Sequence, residues 1–307
     1  MKILISDKFR DEGIKIFQDN GLDVVENFTI TPEELKQEIE KYDAIVIRSR
    51  TKLTADILDN AKNLKVIGRA GVGLDNVDLE KAKAMNIEVF NTPEAPSVSV
   101  AELTIGLMLS HSRHISKADK TMHLGEWRKS EYMGFVLKGK RVGLIGFGNI
   151  GQAVAKRCAA LEMNIGVFDV IPELLDKARE LGYTVYSSIG DLVTNAQIIT
   201  LHVPANEHTK NMINEQRLSL MNEKTIIINT ARGALIDEEA LFKSLKNKEI
   251  GGAALDVYRE EPLNNEKLYG VDDNLILTPH VGSSTVETQV SASVGVAEKL
   301  SHFLKSL

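Results

Sequence analysis

The chain has 307 residues, 43% of them hydrophobic and 26% charged, and a net charge of −6. At roughly 100–200 residues per domain, two domains are expected. The negative charge excludes bulk attraction to nucleic acid or an anionic membrane. No apolar run reaches the roughly 18 residues of a membrane span. The single cysteine, Cys158, excludes an internal disulfide and argues against a cysteine-based metal site, so no metal is expected. "MKILISDKF" reads as a first strand rather than a secretion signal. A reducing cytoplasm fits this composition.

Strand-like runs then alternate with helical patterns. "KILI", "DVVEN", "AIVIRS", "LKVIGRA" and "IEVFN" flank amphipathic segments such as "TPEELKQEIEKY". There, Thr31 and Glu34 are spaced as a capping box, with Pro32 in the first helical position. This rhythm implies parallel sheet covered by helices on both faces. "SVSVAELTIGLMLSHSRHISKADKTMHLG" reads as one unusually long helix, interrupted only by Gly106 and capped by Ser99 with Glu102. Its broad apolar circumference suggests burial at a domain junction or against a second subunit. The rhythm restarts in "RVGLIGF", "NIGVFDV", "TVYSS", "QIITLHV", "TIIINTA", "GGAALDV" and "LILTPHV". A helical stretch, "SSTVETQVSASVGVAEKLSHFLKS", closes the chain. The fold class is therefore α/β, with two doubly wound parallel-sheet domains.

Gly146, Gly148 and Gly151 form G-x-G-x-x-G between a strand and a helix. The first permits the tight turn, the second a close approach of the backbone to a pyrophosphate, the third close helix–strand packing. The helix N-terminus then offers free N–H groups to the phosphates. Asp169 ends the next strand, where a carboxylate accepts hydrogen bonds from the adenosine ribose. That acid repels a 2′-phosphate, and "DVIPELLD" supplies no relieving arginine. NAD is the expected cofactor.

In open α/β sheets ligands sit beyond the carboxyl ends of the strands. There the second half places Arg232 after "TIIINTA", Glu260 and Glu261 before Pro262, and His280 after "LILTP". Singly, each has a structural alternative as a cap, a turn residue or a loop histidine. Together, beside a dinucleotide site, they suit hydride transfer with a 2-hydroxy acid. A cation binds the carboxylate and polarises the C2 oxygen, and histidine takes the hydroxyl proton. A carboxylate partner orients the histidine ring.

"GFGNIG", "NTARG", "LDVYREEPL" and "LTPHVGSST" together resemble the D-isomer-specific 2-hydroxyacid dehydrogenases. "IRSRTKLTADIL", "GRAGVGLDNVD" and "NTPEAPSVSVAEL" resemble the D-3-phosphoglycerate dehydrogenase branch. The similarity covers essentially the whole chain. It implies a Rossmann-type NAD-binding domain, 96–284, inserted in a flavodoxin-like substrate-binding domain, 1–95 and 285–307. It further implies catalytic roles for Arg232, Glu261 and His280. Cofactor contacts would come from Gly146, Gly148, Asn149, Ile150, Gly151, Asp169, Val203, Thr230, Ala231, Asp256, Gly282 and Ser283. A substrate groove would be formed by Arg48, Ser49, Arg69, Ala70 and Gly71. The resemblance also implies a homodimer through the long helix after Ser97. The implied activity is NAD-dependent oxidation of D-3-phosphoglycerate to 3-phosphohydroxypyruvate, the entry to serine synthesis. Longer members carry a C-terminal serine-sensing domain, and this chain stops after "HFLKSL", so a short form without serine control is expected. Val72 stands where many relatives have Thr, which puts one cofactor contact in doubt.

A glycerate dehydrogenase or hydroxypyruvate reductase is the alternative within the family. Glu261 argues against the formate dehydrogenases, which carry glutamine there. A dinucleotide-sensing protein like the corepressors of this fold is the alternative outside enzymes. His111 and His114 lie three apart without a third metal ligand and read as solvated or interface histidines. His202 ends a strand and has no assigned role. Arg128 and Lys129, beside Trp127, either reach a phosphorylated substrate or belong to a solvated turn.

Overall fold

The computed structural model describes residues 1–271 and 274–307. The chain divides into two compact units, Met1–Pro96 with Ser283–Leu307, and Ser97–Gly282. The second unit is inserted in the sequence of the first.

The first unit contains five parallel strands, β1 (Lys2–Ile5), β2 (Asp23–Glu26), β3 (Ala44–Ile47), β4 (Val66–Arg69) and β5 (Glu88–Asn91), in the order β2-β1-β3-β4-β5. Each lies parallel to its neighbours. β3 is buried at every residue, as expected of a strand with helices on both faces. The pleat sends Leu4, Ile45 and Ile67 into one core and Ile3, Val46 and Val66 into the other. The second core is closed by Val296 and Leu300 of the closing helix, Val286–Lys305. That helix presses on the helix Asp11–Asp19, where a Cβ at Gly13 would sit 2.8 Å from the Ser293 carbonyl oxygen. Arg10 fastens the pair, its backbone N–H donating to Ser293 Oγ and its guanidinium to Gln289. The capping box forms: Glu34 N–H donates to Thr31 Oγ1 at 3.2 Å, and the Glu34 carboxylate accepts from Thr31 N–H at 2.9 Å.

The second unit contains seven parallel strands, β6 (Arg141–Ile145), β7 (Asn164–Phe168), β8 (Thr184–Val185), β9 (Ile198–Leu201), β10 (Ile226–Asn229), β11 (Gly252–Leu255) and β12 (Leu275–Leu277). Their order is β12-β11-β10-β9-β6-β7-β8. The chain starts at β6, winds to β8 on one side, then returns to β9 and winds the other way. This reversal between β6 and β9 makes the crevice where such sheets take a dinucleotide.

The helix expected to run from Ser97 past Lys120 is two helices, Ser97–Ser112 and Ile115–His123. His114 between them adopts the left-handed conformation, φ 54°. The Ser112 carbonyl accepts from Phe135 N–H at 3.0 Å instead of continuing the ladder. Gly134 lets that loop come close, since a Cβ there would meet the Ser112 oxygen. The Ser99–Glu102 capping box does not form. The helix begins two residues earlier, Ser99 Oγ donates to the Gly282 carbonyl at 2.5 Å, and Glu102 pairs with Arg157 at 3.0 Å. Among the described residues no helix is long and apolar enough to cross a membrane.

Candidate active site

β6 leads into the glycine loop. Gly146 has φ 100°, and a Cβ there would lie 2.5 Å from the His202 carbonyl oxygen at the end of β9. A Cβ on Gly151 would lie 2.2 Å from the Gly146 carbonyl. Gly148, by contrast, borders open space and caps the helix Asn149–Ala160. Two glycines thus close the turn, and the third leaves bare backbone at a helix N-terminus, the cradle a pyrophosphate requires. Asn149 and Ile150 open that helix, and the Val203 side chain flanks Gly146. Asp169, half-buried after β7, reaches back to the loop. Its carboxylate accepts from Phe147 N–H at 2.6 Å, and from Val170 and Ile171 N–H at 2.7 and 2.9 Å. The acid expected at the ribose therefore also braces the loop. These residues fit NAD.

Along the same edge of the sheet, Arg232 follows β10 with its backbone extended and its side chain half-buried. Asn229 shapes this turn, its amide donating to the Arg232 carbonyl at 2.8 Å and its oxygen accepting from Ala231 N–H at 3.1 Å. Gly233 packs on the Tyr258 backbone so closely that a Cβ would lie 1.9 Å from its carbonyl carbon. That contact draws the Arg232 turn against the loop carrying Glu261. Glu261 Oε1 accepts from Tyr258 N–H at 3.1 Å, and Oε2 lies 2.6 Å from His280 Nδ1. With Nδ1 engaged, Nε2 is the nitrogen left for chemistry. Glu260, the adjacent carboxylate, accepts from Asn264 instead.

His280 has φ 52°, and its turn is pinned from below. Fully buried Asp256 accepts from Thr278 Oγ1 at 2.6 Å, Val281 N–H at 2.9 Å and Gly282 N–H at 2.8 Å. Asp256 and Gly282, expected as cofactor contacts, thus also build the histidine turn. The Tyr258 hydroxyl reaches the Thr278 carbonyl at 2.8 Å, and burial raises its pKa, keeping it a donor. Thr230 is buried, with its hydroxyl 3.0 Å from that of Thr104. Ser283 is the first residue of the other unit's closing segment.

In the first unit, Arg48, Ser49 and Arg50 follow β3, and Arg69 ends β4. The Arg48 side chain is half-buried, and desolvation lowers its pKa. Among the described residues its guanidinium has no hydrogen bond or ion pair. Arg50 is committed to Asp7 at 3.0 Å and to the Ile30 carbonyl. Arg69 folds its guanidinium across Gly71, which has φ 141°. The Ala70 carbonyl lies 3.4 Å from Arg69 Nη1, and Gly71 N–H donates to Thr92 Oγ1.

Three other histidines that the sequence brings forward have structural surroundings of their own. His111 is half-buried against Gly252 rather than solvated, and desolvation lowers its pKa to about 4. His114 sits at the helix break, in the left-handed conformation. Burial lowers His202 to about 3, a neutral imidazole with Nε2 at 3.0 Å from Thr200 Oγ1. Among the described residues no cluster could hold a metal ion. Arg128 pairs with Glu126 at 2.7 Å and reaches Glu131 at 3.5 Å, as in a solvated turn, and Trp127 is exposed. Sequence reasoning missed Ser99's bond to the histidine turn, Asn229's to the arginine turn, and Asp7. Only the asparagine directly before "TARG" carried a local signal.

Residues 105–282 match the family model of the D-isomer specific 2-hydroxyacid dehydrogenase NAD binding domain. The chain belongs to the D-isomer-specific 2-hydroxyacid dehydrogenase family. The glycine loop, Asp169, Arg232, Glu261 and His280 all lie within the matched NAD-binding domain. The chain is 44% identical to a D-3-phosphoglycerate dehydrogenase of Methanocaldococcus jannaschii, over 99% of its own length and 58% of the relative's. It is 41% identical to a hydroxypyruvate reductase of Thermotoga maritima, over 97% of both chains. A glyoxylate reductase of Paecilomyes thermophila has a similar structure, with a TM-score of 0.88 at 28% identity, covering 98% of this chain and 94% of that one.

Proposed function

We propose that the chain is an NAD-dependent D-2-hydroxyacid dehydrogenase that interconverts D-3-phosphoglycerate and 3-phosphohydroxypyruvate. The observation that carries the enzymatic reading is the 2.6 Å His280–Glu261 pair, on the loop that Gly233 packs against the Arg232 turn.

When bound, NAD supplies the acceptor for the C2 hydride. Arg232 binds the substrate carboxylate and polarises the C2 oxygen. His280 Nε2 takes the hydroxyl proton, and Glu261 balances the imidazolium charge and fixes the ring. In reduction His280 returns that proton to the forming alkoxide. Arg48 binds the C3 phosphate, with Ser49, Arg69, Ala70 and Gly71 completing the substrate contacts. The partly desolvated Arg48, whose guanidinium makes no hydrogen bond or close ion pair among the described residues, and the 44% identical phosphoglycerate dehydrogenase favour a phosphorylated substrate.

Hydroxypyruvate reduction is the second reading, favoured by the Thermotoga relative, which this chain matches along 97% of both lengths. Exposed Val98 and Leu109 on the first helix, and Ile115, Met122 and Leu124 just after it, support a homodimer through the long helical segment after Ser97. A cytoplasmic location accords with this metabolic role. The test is NADH oxidation by the full chain with a panel of 2-keto acids. Turnover of 3-phosphohydroxypyruvate is expected. NADH binding without turnover of any keto acid would favour a dinucleotide-sensing protein.

A further inference from the structure

We propose that Asp7 is a positioning residue for Arg48, acting through a buried clamp that it forms with Arg50. The proposal rests on the reading of Arg48 as the anion-binding arginine.

Asp7 follows β1 and is 4% exposed. A buried carboxylate costs several kcal/mol unless it is paired and hydrogen-bonded. Asp7 is both. Oδ2 accepts from Arg48 N–H at 2.6 Å and Thr51 N–H at 3.2 Å. Oδ1 accepts from Thr51 Oγ1 at 2.9 Å and Arg50 Nε at 3.0 Å. Arg50 also donates to the carbonyls of Ser6 and Ile30. From another segment, the Asn76 amide donates to the carbonyls of Arg48 and Thr51 at 2.7 and 2.6 Å. Every polar backbone atom of Arg48 is therefore held by a side chain.

Among the described residues the Arg48 guanidinium makes no hydrogen bond or close ion pair, and Asp7 acts on it only through its charge. The division of labour between the two arginines follows. Arg50 makes the close ion pair with Asp7 at 3.0 Å, so Asp7 acts on the Arg48 guanidinium only at longer range. Arg48 keeps a full positive charge on a side chain whose root is fixed, which lowers the ordering cost of binding an anion. A loop that only had to turn the chain could have satisfied these amides with water.

The test is a double-mutant cycle on the full chain, read as KM for 3-phosphohydroxypyruvate, kcat, and NADH affinity by fluorescence. Asp7→Asn is expected to raise KM by about fivefold or more with kcat within about twofold. NADH affinity is expected not to change, because the glycine loop belongs to the other unit. In an Arg48→Ala background, Asp7→Asn is expected to add less than about twofold, because its effect passes through Arg48. Should Asp7→Asn fail to fold, Arg50→Gln removes the clamp's cation from a half-exposed side chain and carries the same two expectations. If Arg48→Ala raises KM and the clamp variants do not, or their effect persists in full without Arg48, the proposal is overturned alone. If Arg48→Ala leaves KM at the wild-type value, the reading of Arg48 falls and the proposal with it.

Discussion

His280 Nδ1 lies 2.6 Å from Glu261 Oε2, while the other Glu261 oxygen accepts from the Tyr258 backbone. One carboxylate thus fixes the ring and the loop that carries the carboxylate itself. Glu261→Gln keeps the shape but removes the charge that balances an imidazolium. Its kcat is expected to fall between about tenfold and a thousandfold, with NADH affinity unchanged. Stopped-flow NADH oxidation checks this, and an unaltered kcat would remove Glu261 from the chemistry.

Asp169 is expected to hold the ribose and the glycine loop at once. Wild-type specificity is expected to favour NAD over NADP by at least about tenfold, equivalent to 1.4 kcal/mol. Asp169→Ala narrows that preference and also weakens NADH, because Phe147 N–H loses its acceptor. Specificity constants for both cofactors, with NADH titrations, separate the two effects. Equal wild-type constants would place the aspartate away from the ribose.

Gly233→Ala places a methyl group against the Tyr258 backbone. Either the Arg232 turn or the Glu261 loop must move. The expected cost is roughly 1–3 kcal/mol of stability and, from a displacement near 1 Å, about a hundredfold in kcat. Thermal unfolding and steady-state kinetics check both.

Two half-buried, desolvated histidines set a pH dependence of stability. Burial lowers His111 to about 4 and His202 to about 3, and both titrate near 6.5 when unfolded. Below pH 6.5 the unfolded chain binds more protons than the folded one, so stability falls with pH. Each histidine contributes at most about 1.4 kcal/mol per pH unit, down to its folded value. Denaturant unfolding between pH 7 and 5 is expected to show the decline, and His111→Gln to flatten it.

The strands were legible because each is a short apolar run bounded by turn residues, and the glycine motif because two of its glycines answer close backbone contacts and the third leaves open space at a helix N-terminus. Arg232, Glu261 and His280 were legible as residues at strand ends. What joins them was not. The clash that forbids a side chain at Gly233 comes from Tyr258, and the acceptor that fixes Ser99 lies 183 residues away. The break at His114 was hidden because no residue there disfavours a helix. It is set by Phe135, which captures the Ser112 carbonyl. Arg48 and Arg50 looked alike in "IRSRT" until Asp7, 43 residues before Arg50, claimed one of them.

Whether the substrate carries a phosphate is decided by the KM of wild type and Arg48→Ala for 3-phosphohydroxypyruvate and for hydroxypyruvate. A charge-assisted arginine–phosphate bond is worth roughly 1.5–3 kcal/mol, so Arg48→Ala is expected to raise the first KM by about tenfold to a hundredfold. The second is expected to change much less. If wild type handles both substrates equally and Arg48→Ala harms both alike, the phosphate contact does not exist and hydroxypyruvate reduction takes its place.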